Sequence, residues 1–197
     1  ELRLIMLDAD RDFMLANTNV MSNARNGATL IYDRSEVFYD AGARLQGTAA
    51  SRIRDGDAYV SYDIDFPEGQ LFRGVQNNIG IDRSGRGPTV RAQDEIYVLH
   101  MFHRAGIAAP YSDLCYFIAP RTVHTGTAIL QLAGYGSTFV DEQYNQDGSV
   151  FNMDITYEPE TTLVSSDVES PKLPVPHQGH IGTDFLDLGD KEQYRSP

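Results

Sequence analysis

A chain of 197 residues with 41% apolar and 22% charged side chains can bury a core of ordinary size as one domain. Its formal net charge of −12 and pI near 4.7 give a surface that repels phosphate backbones, which disfavours a nucleic-acid partner. No apolar run reaches the roughly 18 residues a membrane span requires, and 17 Gly with 9 Pro favour short strands and turns over a helical bundle.

From the N-terminus, Leu2 to Leu7 is an apolar run suited to a strand. The carboxylates of Asp8, Asp10 and Asp12 then suit the N-cap and first turn of a helix reaching about Asn17. These aspartates also imitate the opening of a calcium loop, but Phe13 stands where that loop needs Gly and Asn19 where it needs Glu. From Ala28 the pattern becomes strand-like: Thr29–Tyr32, Val37–Tyr39, Ala41–Leu45 and Tyr59–Phe66, the last alternating at Tyr62, Ile64 and Phe66. With turn chemistry at Asp55-Gly56-Asp57 and Pro67-Glu68-Gly69, these pieces predict an antiparallel meander with one wet face.

Ile79–Asp82 is a further short strand, and Ser84–Pro88 a loop into the best helix of the chain, about Val90 to Ala105, ended by a left-handed cap at Gly106. Ile96, Leu99, Phe102 and Ala105 recur at helical spacing, and Tyr97, Val98 and Met101 broaden the stripe. The pattern predicts a largely buried helix that is the spine of the domain. Leu114–Ala119 and Thr127–Ala133 read as paired strands, Ser137–Tyr144 as a short helix, Asn145–Gly148 as a turn and Val150–Tyr157 as a strand. Beyond Glu158, Pro159, Pro171, Pro174 and Pro176 lie among Ser, Thr, Glu and Gly, so about 158–180 reads as an extended linker. A last turn of helix fits Thr183–Leu188. The fold class expected is α+β, a mainly antiparallel twisted sheet braced by one long buried helix and one or two short ones. Residues 1–157 form the domain and 158–197 a Pro-rich linker and tail.

The chemistry-bearing residues are few. Cys115, within the apolar run Leu114–Ile118, reads as a small core residue, and a single thiol excludes an intrachain disulfide. His100 and His103 are spaced for two metal ligands on one helix, but neither an HExxH pattern nor paired Cys accompanies them. They read as structural, with no metal assigned. No phosphate-binding loop, dinucleotide fingerprint or nucleophile elbow is present.

Three local texts stand in a telling order: Tyr39-Asp40-Ala41-Gly42-Ala43-Arg44-Leu45-Gln46-Gly47; Ile81-Asp82 followed by Gly87-Pro88-Thr89-Val90-Arg91-Ala92-Gln93-Asp94-Glu95; and Gly106-Ile107-Ala108-Ala109-Pro110 before a strand. Together with Gly126 through Asp154 this order resembles the CotH kinase-like family, named for a spore-coat protein, over about residues 1–157. The tail resembles a stretch found in secreted bacterial members that carry lamin-tail domains. The resemblance implies an atypical protein-kinase-like fold that uses ATP and Mg or Mn to phosphorylate protein Ser. Carried over by position, Arg44, Asp82 and Glu95 become the cofactor-binding candidates, a cation on the phosphates and carboxylates toward the metal.

Two departures from the family pattern count against catalysis. Where members carry Lys in a Tyr-Lys-Ile-Lys-Phe strand, this chain has Tyr62-Asp63-Ile64-Asp65-Phe66, anions in place of both cations. The family's metal-binding carboxylates also lie C-terminal to everything matched. The expected role is therefore a non-catalytic structural or protein-interaction unit, part of or truncated from a CotH-like protein, with no catalytic residue and no cofactor of its own. Its partner would be another protein or a missing C-terminal lobe, with a homo-oligomer as a further expectation and an extracellular or cell-envelope location implied. One alternative is the N-terminal part of an ATP-dependent Ser kinase. The other, resting on acidity, Asp-rich turns and Tyr on a wet face, is a calcium- or carbohydrate-binding module.

Overall fold

Alternation along the strands decides the architecture. The computed structural model describes residues 1–16, 22, 24–46, 60–83, 92–132 and 137–145. The expected turn at Asp55–Asp57, the loop at Ser84–Pro88, the strand at Val150–Tyr157, the linker and tail at 158–197 and the helical turn at Thr183–Leu188 lie outside those residues. In chain order the elements are β1 (Leu2–Ile5), α1 (Asp8–Leu15), β2 (Asn26–Tyr32), β3 (Glu36–Leu45), β4 (Tyr62–Asp65), β5 (Asn78–Asp82), α2 (Ala92–Arg104), β6 (Tyr111–Ile118), β7 (Gly126–Leu132) and α3 (Ser137–Tyr144), with a 3₁₀ turn at Thr122–His124.

The strands close on themselves in the order β1-β2-β3-β4-β5-β7-β6. Every neighbouring pair is antiparallel except β1 with β6, which are parallel and meet at Leu2 with Phe117 and Arg3 with Ile118. This closed seven-stranded barrel overturns the expected α+β, kinase-like sheet braced by a long buried helix. A bulge contributes to the curvature: the register slips between Ala28 and Leu30, and across from it Asp40 takes φ +55°. An extra residue there bends β3 and steepens its twist, as barrel closure demands.

Closure changes what covers what. Leu4, Leu30, Ala43, Leu45, Tyr62, Ile64, Ile79 and Ile81 all point inward and are buried against one another, so the strands supply their own core and need no helical lid. Met14 and Leu15 of α1 join that core. Phe72, on the connection from β4 to β5, packs among Tyr32, Phe38 and Phe66 at centroid distances of 5.3, 5.3 and 5.5 Å. Tyr62 stacks obliquely on Phe117, and its hydroxyl meets Nδ1 of the buried His124 at 2.8 Å. Burial pushes the Tyr62 phenol upward, so it stays protonated.

The helix read as a spine is real but lies outside. It runs Ala92–Arg104 and ends as expected: Gly106 adopts φ +74°, Gly106 N–H bonds the His103 carbonyl at 3.1 Å and Ile107 N–H the Phe102 carbonyl at 2.9 Å, the two bonds of a Schellman ending. Its correction concerns burial: Ile96, Leu99 and His103 are half-buried, whereas Tyr97, Val98, Met101 and Phe102 are exposed. Among the described residues no helix is long and apolar enough to cross a membrane.

Candidate functional site

The residues between the inward ones on β3, β4, β5 and β7 build a polar outer wall. Register places Arg44 beside Asp63, Asp63 beside Gly80 and Gly80 beside Gln131 in one cross-strand row. Gly80 suits that row, because a Cβ there would lie a tight 3.1 Å from both the Gln131 Oε1 and the Gln46 Nε2. The bare backbone lets the two amides lie across the strand without giving way. A second row carries Ser61, Asp82 and Ile129, since Asp82 pairs with Ile129 and Ser61 and Asp82 flank the Tyr62–Ile81 pair.

Arg44 belongs to an ion network centred on Asp63. Its guanidinium pairs with Asp63, which also accepts from Asn78 and lies 3.4 Å from Arg25 Nη1. Arg25 reaches Asp65 through Nε at 2.6 Å and donates to the Asp63 carbonyl at 3.0 Å. Asp63 and Asp65 thus engage two arginines, and this cluster balances its own charge. A phosphate approaching Arg44 would have to displace a carboxylate that is 8% exposed, at a cost typical of breaking a largely buried ion pair.

Asp82 and Glu95 lie together, apart from Arg44. Asp82 accepts from the Ser61 hydroxyl at 3.0 Å, and Glu95, in the first turn of α2, accepts from Gln131 Nε2 at 2.9 Å. Gln131 Oε1 in turn accepts from Gln46 at 3.4 Å. Burial raises the Glu95 carboxyl, the charge of Asp82 raises it further, and the Gln131 bond opposes both. The glutamine relay fastens the start of α2 to the barrel wall. Arg44, Asp82 and Glu95 therefore occupy one wall but divide between two clusters. The sequence reading missed Arg25, Gln46, Asp63 and Gln131 as members of those clusters; the alternation of β4 was the available signal, since Tyr62 and Ile64 pointing inward force Asp63 outward.

The remaining candidates stand elsewhere. His103 stacks on Tyr111 with centroids 4.4 Å apart, while His100 is exposed. Cys115 packs against the barrel core and its thiol is pushed up to about 11 by burial, which makes it a poor nucleophile. Arg11 bridges Asp8 at 2.6 Å and Asp12 at 2.9 Å in α1. Among the described residues no three of His, Cys, Asp and Glu gather closely enough to hold a metal ion.

Beside the wall, α2 presents an apolar surface. Its inner side lies over β6 and β7, where the outward-pointing Ile129 is buried. Its outer side presents Tyr97, 68% exposed, with Val98, Met101 and Phe102. The apolar surface continues through Ile107 and onto β6, where Leu114, the register partner of Ile129, and Tyr116 are both exposed. The chain matches no protein-family description and none of the curated proteins compared with it.

Proposed function

We propose that this chain is a non-catalytic docking unit whose α2–β6 face seats another polypeptide. The observation that carries the reading is a helix apolar on both sides, with one side on the barrel and the other open at Tyr97, Val98, Met101 and Phe102. Scattered surface apolar residues need no explanation, but a contiguous patch continuing onto a neighbouring strand marks an interaction surface. Tyr, Phe and Met are also the side chains that supply the most contact per residue at protein interfaces. Arg44, the cation that the CotH-like resemblance would set on the phosphates, is engaged by Asp63, which supports a non-catalytic reading.

A photo-cross-linking phenylalanine analogue placed at Tyr97 tests this, with Tyr39 as control. Tyr39 is 60% exposed on β3, three strands along the barrel from β7. Irradiation in a native extract should give a polypeptide adduct at position 97 and none at 39. Equal labelling at both positions, or none at 97, removes the docking reading.

A further inference from the structure

Resting on that docking reading, we infer that the polypeptide seated on α2 is a second copy of this chain, held by a two-fold, antiparallel pairing of α2 on α2. The outer face of the helix is self-complementary about the midpoint between Leu99 and His100. Reversed upon itself there, Tyr97 comes opposite Phe102 and Val98 opposite Met101, all four exposed. One turn outward, Arg104 of each copy comes opposite the acidic Asp94–Glu95 turn of the other. Asp94 is exposed and available, whereas Glu95 is engaged by Gln131.

An isologous contact requires this kind of symmetry, in which a patch satisfies a copy of itself. Antiparallel helices also oppose their dipoles favourably, with the acidic N-terminal turn of one beside the basic C-terminal turn of the other. The formal charge of −12 resists self-association in general, but the open face bears one acid and one base at its ends and apolar residues between. Repulsion from charges elsewhere on the barrel is screened over roughly 8 Å at physiological salt. The helix face alone is small for a stable dimer, which calls for about 1,000 Å² or more. Leu114 and Tyr116 on β6 and Ile107 after the helix extend the apolar surface in the required way. A basic partner would suit the acidic protein as a whole, yet of the two acids at the start of α2 Glu95 is engaged by Gln131 and Asp94 alone is open to it.

The test is the mass of the full chain in solution, by sedimentation or light scattering at micromolar concentration, with charge exchange at the helix ends. The parent should run at twice the 21.9 kDa chain mass. Asp94→Arg alone and Arg104→Glu alone should each weaken the dimer by about tenfold, since each places like charges at both ends of the two-fold contact. The combined Asp94→Arg/Arg104→Glu chain should recover the parent's association. Met101→Glu should give a monomer whose melting temperature matches that of the parent diluted below its pairing concentration, because the Met101 side chain touches solvent in the isolated fold. A dimer that survives Met101→Glu, or single variants that the combined exchange does not rescue, would overturn the self-pairing. A monomeric parent whose Tyr97 still cross-links to a different polypeptide would overturn it while leaving the docking reading intact; loss of the Tyr97 adduct removes both.

Discussion

The barrel interior and the outer face of α2 are written in the same residue types and meet opposite fates. Leu30, Ile64 and Ile79 are fully buried, each strand covering the next, while Tyr97, Val98 and Met101 stand in solvent. Apolar periodicity therefore states that a face requires cover; it does not state what supplies it. Inside the barrel the cover comes from the same sheet, whereas on α2 the docking reading assigns it to another polypeptide.

The largest expected effect breaks the comparison directly. Ile64→Ala removes a fully buried side chain and should destabilise the fold by roughly 2–5 kcal/mol. Met101→Ala, on the open face, should cost no more than about 0.5 kcal/mol in the unpaired chain, below the concentration at which copies associate. Urea unfolding of the two variants measures the contrast, and a similar loss in both would mean that α2 is covered within the monomer. Asp63→Ala comes next, at roughly 2 kcal/mol, because it strips a carboxylate from Arg25, Arg44 and Asn78 at once. Were the wall a phosphate site instead of a self-neutralised network, this variant would gain affinity for ATP; calorimetric titration should show no heat in the parent and serves as the check. Tyr62→Phe is smaller, about 1–2 kcal/mol, since it deletes one buried hydrogen bond to His124 and leaves the ring packing on Phe117 intact. A melting temperature unchanged from the parent would show that this bond contributes nothing.

Local structure was legible where it depends on neighbours in sequence. The helix end at Gly106, the acidic start of α1 and the inward set Tyr62, Ile64 and Phe66 all follow from the conformational freedom of glycine, from helix polarity and from the two-residue repeat of a strand. Closure was not legible, because it depends on β6 returning to β1, a contact between Phe117 and Leu2 that no local pattern encodes. The exposure of α2 follows from the same contact: an open sheet needs an apolar helix as its lid, whereas a closed barrel leaves that helix outside. The site divides in the same way. Asp63 facing Arg44 could be derived from strand alternation, whereas Gln131 reaching Glu95 joins β7 to α2 across 36 positions and needs the folded chain.

The smallest expected effect sharpens the contrast between the two sides of α2. Glu95 is the polar contact of the inner side, and burial followed by the charge of Asp82 holds its carboxyl above the ordinary value of 4.5. Between 4.5 and that raised value the folded chain binds more protons at this position than the unfolded chain, so this group's contribution to stability falls as pH rises through the window. Below 4.5 both states are protonated and the penalty is absent; above the raised value it is present in full. Glu95→Gln keeps an oxygen for Gln131 to donate to and removes the charge beside Asp82. Its stability relative to the parent should therefore rise with pH across that window and then level off, as read from paired urea titrations. Gln93→Ala, which removes no ionisable group from the same turn, should produce no such rise. If the two variants track each other, Glu95 is solvated like its neighbour, and the Gln46–Gln131–Glu95 relay does not fasten α2 to the barrel.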